Sequence, residues 1–513
     1  MCRWPLELCC IISSMVSLSL HYALMLYVGS GVLLGIGFIY TPTWFLGLFG
    51  ATLFLYALKK TTSLKIVLLG GALAWWTKSL LALSLFWSVY PIKWLEVSFG
   101  NSEVFIIFVY WVTVALFLSL GGLFVAGFVW LLQKHSPSII LLGILFPFIW
   151  VGGEVLSALS FSLFTFGPGA TLNTVYSLGY LGYAFGQHEY LLGLARIAGV
   201  YGLSALGALM GYGVWYVLNQ YPPKKAAIVI CCVLLILLGT KGDVRTLTAL
   251  ENPAGENTAA IIDTRFGDEW LIIENKDAYK WNQVAEAVEA ALILNPSVVI
   301  LPEDSRYTSP ELGIAKSYNL FKFQNGNPDT ILIDTSKTLL PDGTATQRAY
   351  IYDGQSKRGY VADKQYLVPQ GEFMPYFYSG SLQLFGLGEV AAKLQKRFIY
   401  VPGPEKSQAL LPSTSPGILF CLESADPNAV RRLVKEREVP FIVHPISHAW
   451  FHESEILWQQ QDVMLKMQAL WSGVDIVSAA NMAKGALYTK DGKKIVPTPA
   501  ASGESWQVSL VSW

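Results

Sequence analysis

The chain has 513 residues, 53% of them hydrophobic and only 14% charged, with 36 basic and 36 acidic side chains and a formal net charge of zero. The length allows about two or three domains, and the apolar excess excludes one water-soluble globule. The balanced charge, with no basic stripe or stacking platform, excludes nucleic acid as a partner. The composition is split. Up to about residue 240 the chain is nearly all apolar runs; beyond it come the mixed charges and polar turns of an α/β domain. This places a transmembrane helical domain at 1–240 and an exported α/β domain at 241–513.

About 20 apolar residues cross a bilayer core as a helix. About seven segments qualify or nearly so by that measure: 6–28, 31–57, 66–90, 104–132, 138–158, 191–217 and 226–240. The first is read as a retained span: no clear small-residue cleavage site follows it, and another apolar run comes at once. Lys59, Lys60 and Lys65 fall in one loop, Lys134 in the next but one, and Lys224 and Lys225 in the next but one again. The loops between are poor in basic residues: 91–103 sets Lys93 against Glu96 and Glu103, and 159–190 has no Lys or Arg. Basic loops stay cytoplasmic, so with Arg3 inside, everything after residue 240 is expected outside. Lys78 and Glu154 fall within spans, where a charge faces a cavity, snorkels or is paired internally; the sequence leaves these open. Segment 159–190, rich in Gly, Ser, Thr and Tyr, reads as a long outer loop near the headgroups.

In the second half, strands alternate with helices. "TAAIIDT", "SVVILPED", "TILIDTS", "AYIYDG", "GILFCLES", "PFIVHPIS" and "VDIVSAA" read as strands, with helices before Pro296, after Asp426 and over about 454–472. Such alternation indicates layered α/β architecture, with side chains at strand ends building the site. Of six cysteines, Cys2, Cys9, Cys10, Cys231 and Cys232 lie in or beside spans, and Cys421 alone lies in the exported half. It cannot form a disulfide within that half. It sits at a strand end, where it reads either as a nucleophile or as an inert buried thiol.

Three segments carry a resemblance: "LPEDSRY" (301–307), "YVADKQYLVPQGEFMPY" (360–376) and "GILFCLES" (417–424). Together they resemble the Glu-Lys-Cys core of the nitrilase superfamily, and more closely that of the apolipoprotein N-acyltransferase family. "SLFWSVYP", "IWVGGE", "LGYAFGQ" and "GVYGLSALG" in the first half resemble the same family's helix and loop motifs. The resemblance implies a polytopic helical membrane bundle carrying an α-β-β-α layered sandwich. It also implies roles: Glu303 as general base, Lys364 as oxyanion-stabilising cation and Cys421 as nucleophile. Glu372 and Glu423 would support them, and Trp450 and Asn481 would bind substrate at the pocket rim. The implied donor is a membrane phospholipid, and the implied acceptor is the α-amino group of a diacylglyceryl-lipoprotein. The setting would be a bacterial cell membrane, with the catalytic half outside and the enzyme a monomer. No metal or organic cofactor is implied.

The chemistry suits these residue types. A cation favours a thiolate, a carboxylate takes its proton, and positive charge steadies a tetrahedral oxyanion. The match has departures. Gln370 stands where the family usually has phenylalanine, Leu422 where tyrosine follows the nucleophile, and Ser157 where an arginine is expected. Ile446, Ser447, His448, Gln468, Trp471 and Ala483 also differ, and "SWQVSLVSW" is too short and polar to be the family's last membrane helix. These place specificity in question more than reaction type. A membrane-anchored amidase or hydrolase would use the same triad, and an inactive scaffold is the reading from outside enzymology. A transporter finds no support in any inverted repeat. His444, His448 and His452 recur every four residues, but Pro445 interrupts a helical metal face; they are expected at the pocket rim or in solvent. The apolar run 373–388 reads as a lid touching the membrane or as core packing.

Overall fold

The computed structural model describes residues 20–92, 102–136, 138–239, 257–267, 277–309, 314–384, 386–404 and 407–513. Arg3, Cys2, Cys9, Cys10, Lys93, Glu96 and the first part of the expected 6–28 span lie outside the described residues. The first half forms helices α1 (Leu20–Gly35), α2 (Leu46–Lys60), α3 (Leu64–Ala82), α4 (Ser102–Leu118), α5 (Leu120–His135), α6 (Ile139–Phe164), α7 (Leu181–Phe185), α8 (Glu189–Gln220) and α9 (Pro223–Gly239).

Among the described residues, five helical stretches are long and apolar enough to cross a membrane: Leu20–Phe38, Leu64–Ala82, Glu103–His135, Ile139–Phe164 and Glu189–Gln220. The expected count of about seven is not reproduced. The expected span 31–57 breaks at a short turn over Thr41–Thr43 with Pro42 in it, since proline lacks an N–H and disfavours helix in the residue before it. This leaves α2 with 15 residues, roughly 22 Å long and short of a bilayer core. α4 and α5 run into each other through Ser119, whose N–H bonds Ala115 O at 3.1 Å.

Helices in lipid attract one another mainly by close packing, which small residues permit. A Cβ on Gly71 would stand 2.5 Å from Gly122 O, and one on Gly121 would stand 2.1 Å from Gly153 O. So α3, α5 and α6 meet backbone to backbone. Trp75 and Trp150 pack at the centre with ring centroids 4.4 Å apart. The buried charges sit beside them. Glu154 Oε1 accepts from Trp150 Nε1 at 3.1 Å and from the N–H of Leu181 at 2.7 Å, while the Lys78 ammonium lies 4.4 Å from the Trp75 ring centroid. Both side chains are buried inside the bundle.

The expected loop 159–190 divides: α6 runs on to Phe164, the stretch 166–174 is largely exposed, and the stretch after it turns inward. Tyr176, Ser177 and Tyr180 are buried, and the Tyr176 ring packs edge-on against Phe161 with centroids 4.9 Å apart. Its polar groups find fixed partners: Ser177 N–H and Oγ both donate to Ala425 O, at 3.2 and 2.6 Å.

The second half contains strands β1 (Thr258–Thr264), β2 (Val298–Ile300), β3 (Ile331–Leu339), β4 (Ala345–Asp353), β5 (Arg358–Asp363), β6 (Gly417–Ile418), β7 (Ile442–Ser447), β8 (Ile476–Asn481), β9 (Ala486–Tyr488), β10 (Lys494–Ile495), β11 (Pro499–Ser502) and β12 (Trp506–Ser512). Helices α10 (Asp277–Ile293), α11 (Ile314–Gly326), α12 (Tyr376–Leu384), α13 (Gly388–Arg397), α14 (Ala429–Glu436) and α15 (Glu455–Ser472) complete it. The tail too short and polar to span is β12, antiparallel to β1 along its whole length.

β1 also pairs in parallel with β2, but touches β8 only at Thr264↔Asn481. The sheet splits there into two arms, β2-β3-β4-β5 and β8 with β6, β7, β9 and β10. Side chains alternate across each strand. Ile261, Ile300, Val443 and Val477 pack together between the arms. Ile262 and Val299 turn outward to Val284 and Val288 of α10; Ile442 and Ile476 turn outward to Leu465 and Ala469 of α15. Strands buried on both faces explain the continuous apolar runs in the sequence, and the result is the expected α-β-β-α layering.

α15 joins the halves. Its Val463, Met464, Met467 and Leu470 belong to the core of the helical bundle, and Gln460 Nε2 donates to Ala82 O at 2.8 Å. α8 packs on α15 near its kink, where Gly199 has φ +57 and a Cβ would stand 2.4 Å from the Trp471 ring. At the other end of α8, Lys59 bonds Asn219 at 2.7 Å. Lys59, and Lys224 and Lys225 at the start of α9, therefore lie at the end of α8 away from its contact with α15.

Candidate active site

Cys421, Lys364 and Glu303 come together from three strand ends. β6 runs out through Leu419 and the buried Phe420 into a tight turn over Cys421–Ala425. Glu423 ties this turn. Its Oε2 accepts from Phe420 N–H at 2.9 Å, and its Oε1 accepts from the N–H groups of Gln365 and Tyr366 at 2.7 and 3.3 Å. One carboxylate thus fastens the nucleophile turn to the lysine segment. Burial raises its carboxyl above the usual range, and the Gln365 and Phe420 N–H groups oppose the rise. The Cys421 S–H points to Ser447 O at 3.9 Å.

Lys364 follows β5 and is fully buried. Its N–H bonds Gln347 O at 2.9 Å, and its carbonyl accepts from Gly403 N–H at 2.7 Å. Its ammonium lies 3.0 Å from Glu303 Oε1 and 2.7 Å from Glu372 Oε1. Glu372 is aimed by its other oxygen, which accepts Val368 N–H at 2.7 Å. Glu303 follows β2, its N–H on Ile446 O at 3.3 Å.

The electrostatics follow from burial and this cluster. Burial pushes the Glu303 carboxyl up to about 7, with Lys364 opposing and Glu372 adding to the rise. Burial alone would lower the Lys364 ammonium, but Glu303 and Glu372 outweigh it and hold it well above the ordinary lysine value. Burial and then the Glu303 charge push the Cys421 thiol up to about 12, against the pull of Lys364. At neutral pH the thiol therefore keeps its proton, and a carboxylate stands ready to take it during attack.

These groups line a cavity of about 410 Å³, within the range of small-molecule sites. Part of its apolar wall comes from the helical half, including Leu83, Phe86, Val89, Ile107, Tyr110 and Phe161. Trp450 lines it too, lying so close over Gly371 that a Cβ there would be 2.4 Å from its ring. Asn481 lines it, but its amide is committed to the protein. It accepts from Thr264 Oγ1 and Phe266 N–H, and donates to Phe266 O and Ser447 Oγ, all at 2.8–3.0 Å.

The three histidines point apart. His444 Nδ1 meets Ser478 Oγ at 3.1 Å, His448 Nε2 meets Gln461 Oε1 at 2.8 Å, and His452 Nδ1 meets Ser88 O at 2.7 Å. His448 borders the cavity, whereas His444 is buried and neither at the rim nor in solvent. Burial lowers their pKa values, to about 3 for His444 and about 4 for His448. Among the described residues no cluster of three or more His, Cys, Asp or Glu could hold a metal ion. The run 373–388 packs in part into the core. Met374 and Leu382 are buried in a core cluster with Ile107, and Phe377 packs on Phe164 with centroids 4.9 Å apart, while Leu384 is 84% exposed.

Sequence reasoning missed Ser177 and Gln461. Ser177 holds Ala425 at the end of the nucleophile turn from 248 residues away, a separation no local motif signals. Gln461 Nε2 donates to Ser424 Oγ at 3.2 Å and reaches Cys421 O at 3.5 Å.

The family model described as apolipoprotein N-acyltransferase N-terminal domain matches residues 30–213. That match bears out the resemblance read from the motifs of the helical half, and it supports an enzyme of the acyltransferase or hydrolase type bound to a membrane. No curated protein matches the sequence. Among solved structures, the chain is similar to a carbon-nitrogen hydrolase from Helicobacter pylori G27, at 12% identity and a TM-score of 0.34 over 50% of this chain and 89% of that one. It is also similar to an amidase from Nesterenkonia sp. AN1, at 12% identity and a TM-score of 0.34 over 51% and 93%.

Proposed function

We propose that the chain transfers an acyl chain from a membrane phospholipid to the α-amino group of a lipoprotein's diacylglyceryl-cysteine, through a thioester on Cys421. The observation that carries this reading is the shared cavity: a thiol, a lysine and two carboxylates open onto apolar side chains of the helical half. An acyl chain can lie along that wall with its ester carbonyl at the thiol.

In the first half-reaction Cys421 Sγ bonds the ester carbonyl carbon while its proton passes to Glu303. Lys364 steadies the oxyanion. The C–O bond breaks, and the lysophospholipid leaves with the proton from Glu303. In the second, the acceptor amine bonds the thioester carbon and gives a proton to Glu303. The C–S bond breaks, and the proton returns to the thiolate. Ping-pong kinetics follow. Glu372 aims Lys364, Glu423 fixes the nucleophile turn, Trp450 walls the acyl site, and Asn481 holds the strand ends around it.

The same reading makes 1–240 a multi-pass domain in a bacterial cell membrane and 241–513 an extracytoplasmic catalytic domain, active as a monomer. The positions of Lys59, Lys224 and Lys225 at the end away from the site support that sidedness.

The test is incubation of the purified protein in detergent with a phospholipid carrying a labelled acyl chain. Mass spectrometry then looks for a hydroxylamine-labile adduct on Cys421, with Cys421→Ala as control. Passage of the label to a diacylglyceryl peptide is expected. Loss of the label only to water would replace the acyltransferase by a hydrolase. No adduct from folded protein would overturn the chemistry and leave a scaffold.

A further inference from the structure

α15 buries more than its two apolar faces. Val463, Met467 and Leu470 lie in the core of the helical bundle, and Leu465 and Ala469 lie on the sheet. A further row carries Gln461 and Gln468, nearly two full turns apart and so on one side of the helix. Both side chains are buried, at 7% and 2% exposure, and a buried amide costs free energy unless it is hydrogen-bonded. Gln468 Nε2 donates to Ser424 O at 2.7 Å, and its Oε1 accepts Val430 N–H at 3.3 Å. Gln461 Nε2 donates to Ser424 Oγ at 3.2 Å and reaches Cys421 O at 3.5 Å, while its Oε1 accepts from His448 Nε2 at 2.8 Å. Ser424 Oγ in turn donates to Cys421 O at 2.7 Å.

These bonds answer a need of the backbone. The nucleophile turn Cys421–Ala425 is a single tight turn, too short to satisfy its own last carbonyls, and the first N–H groups of α14 are left open in the same way. Gln468 closes one of each. A side chain can do this only with a donor and an acceptor side by side, which a carboxylate, an amine or an alkyl group lacks. Gln461 uses the same two-sided chemistry between the turn and His448. Ser177 holds the next carbonyl, that of Ala425. The same helix also lines the cavity, through Leu457, Gln460, Gln461 and Met464. α15 therefore touches both the turn that carries the thiol and the wall beside it.

We propose that Gln461 and Gln468 are positioning residues for acylation: they hold the Cys421 turn against the cavity wall so that Sγ meets the donor's ester carbonyl beside Lys364. The inference rests on the acyl-transfer reading above. Misplacing a reacting group by about 1 Å can cost about 100-fold in rate, so a bond that fixes the turn acts on the maximal rate and not on donor binding.

The test measures Cys421 acylation over a range of concentrations of a phospholipid with a labelled acyl chain. Alkylation of Cys421 by iodoacetamide, which needs no aligned carbonyl, and melting in detergent are followed in parallel. Gln468→Met keeps the length of the side chain and loses both bonds. It is expected to lower the maximal acylation rate about 10- to 100-fold, with donor KM and the alkylation rate within about twofold of native. Gln468→Glu keeps the acceptor for Val430 N–H but sets a carboxylate against Ser424 O, and should be no better. Gln461→Glu still accepts from His448 and can accept from a rotated Ser424 hydroxyl, so it should recover most of the rate that Gln461→Met loses. A near-native maximal rate in Gln468→Met, a change confined to KM, or a lower melting temperature with a native rate per folded molecule would overturn the positioning role. Acylation and alkylation falling alike would overturn it too, by showing a collapsed turn. If the native protein forms no adduct from any phospholipid while iodoacetamide still labels Cys421, the acyl-transfer reading itself falls, and the positioning role with it.

Discussion

Replacing Lys364 by methionine keeps the length of the side chain and removes the charge that holds Glu303 and Glu372 together. The ammonium is fully buried and lies within 3.0 Å of one carboxylate and 2.7 Å of the other. Removing one partner of such a buried pair costs about 3–5 kcal/mol, because the remaining charge is left uncompensated. The sign with pH follows. With the cation gone, two carboxylates share a buried site, and one of them must take up a proton. A carboxyl raised above its unfolded value penalises folding as pH rises. The loss of stability should therefore be small near pH 5 and largest near pH 8. Removal of the oxyanion partner should also cost about 100- to 1,000-fold in acylation rate. Melting in detergent across pH, together with the rate of Cys421 adduct formation, reads both effects. The double substitution Lys364→Met with Glu372→Gln separates them, since it removes the like-charge pair without restoring the cation. It should regain most of the stability and none of the rate. A Lys364→Met protein as stable at pH 8 as at pH 5, or acylated at the native rate, would refute this account of the cluster.

Because the Glu303 carboxyl is raised to about 7 and must be ionised to take the thiol proton, acylation should rise with pH up to about 7 and level off above it. A flat profile from pH 5.5 to 8.5 would remove Glu303 from the role of base. Glu423→Gln turns one carboxylate oxygen into a donor facing either the Phe420 N–H or those of Gln365 and Tyr366, at a cost of about 1–3 kcal/mol. It should lower the melting temperature and slow acylation about tenfold or more, whereas an unchanged rate would show that the tie does not position the thiol. Ser177→Ala removes the 2.6 Å bond to Ala425 O, worth about 1 kcal/mol. It should slow acylation several-fold with little change in donor KM, and a change confined to KM would place Ser177 at the substrate instead.

The two halves differ in how much of them could be read from sequence, and for physical reasons. In the α/β half the central strands are buried on both faces, so each appears as a bounded apolar run, and Glu303 and Cys421 sit just past two of them, β2 and β6; β5, which precedes Lys364, is largely exposed and forms no such run. Local pattern therefore marked Cys421 at a strand end, whereas grouping it with Glu303 and Lys364 came from the resemblance of their three segments. In the helical half, composition reports only that a segment is apolar. It does not separate a crossing helix from a short one such as α2, because both bury apolar side chains.

The ties between the halves were illegible in either pattern. Ser177 on Ala425, Gln460 on Ala82 and His452 on Ser88 each join residues more than 200 positions apart, and each is an ordinary polar side chain in its own neighbourhood. Their arrangement has a functional consequence. Ala82 and Ser88 bracket the turn whose Leu83 and Phe86 wall the cavity, and Ala425 closes the nucleophile turn. A thiol on one half and an acyl wall on the other can cooperate only if their separation is fixed within a fraction of an ångström. These polar contacts, lying across a largely apolar joint, supply the direction that apolar packing alone does not. Loosening them should therefore cost acylation rate before it costs the fold of either half.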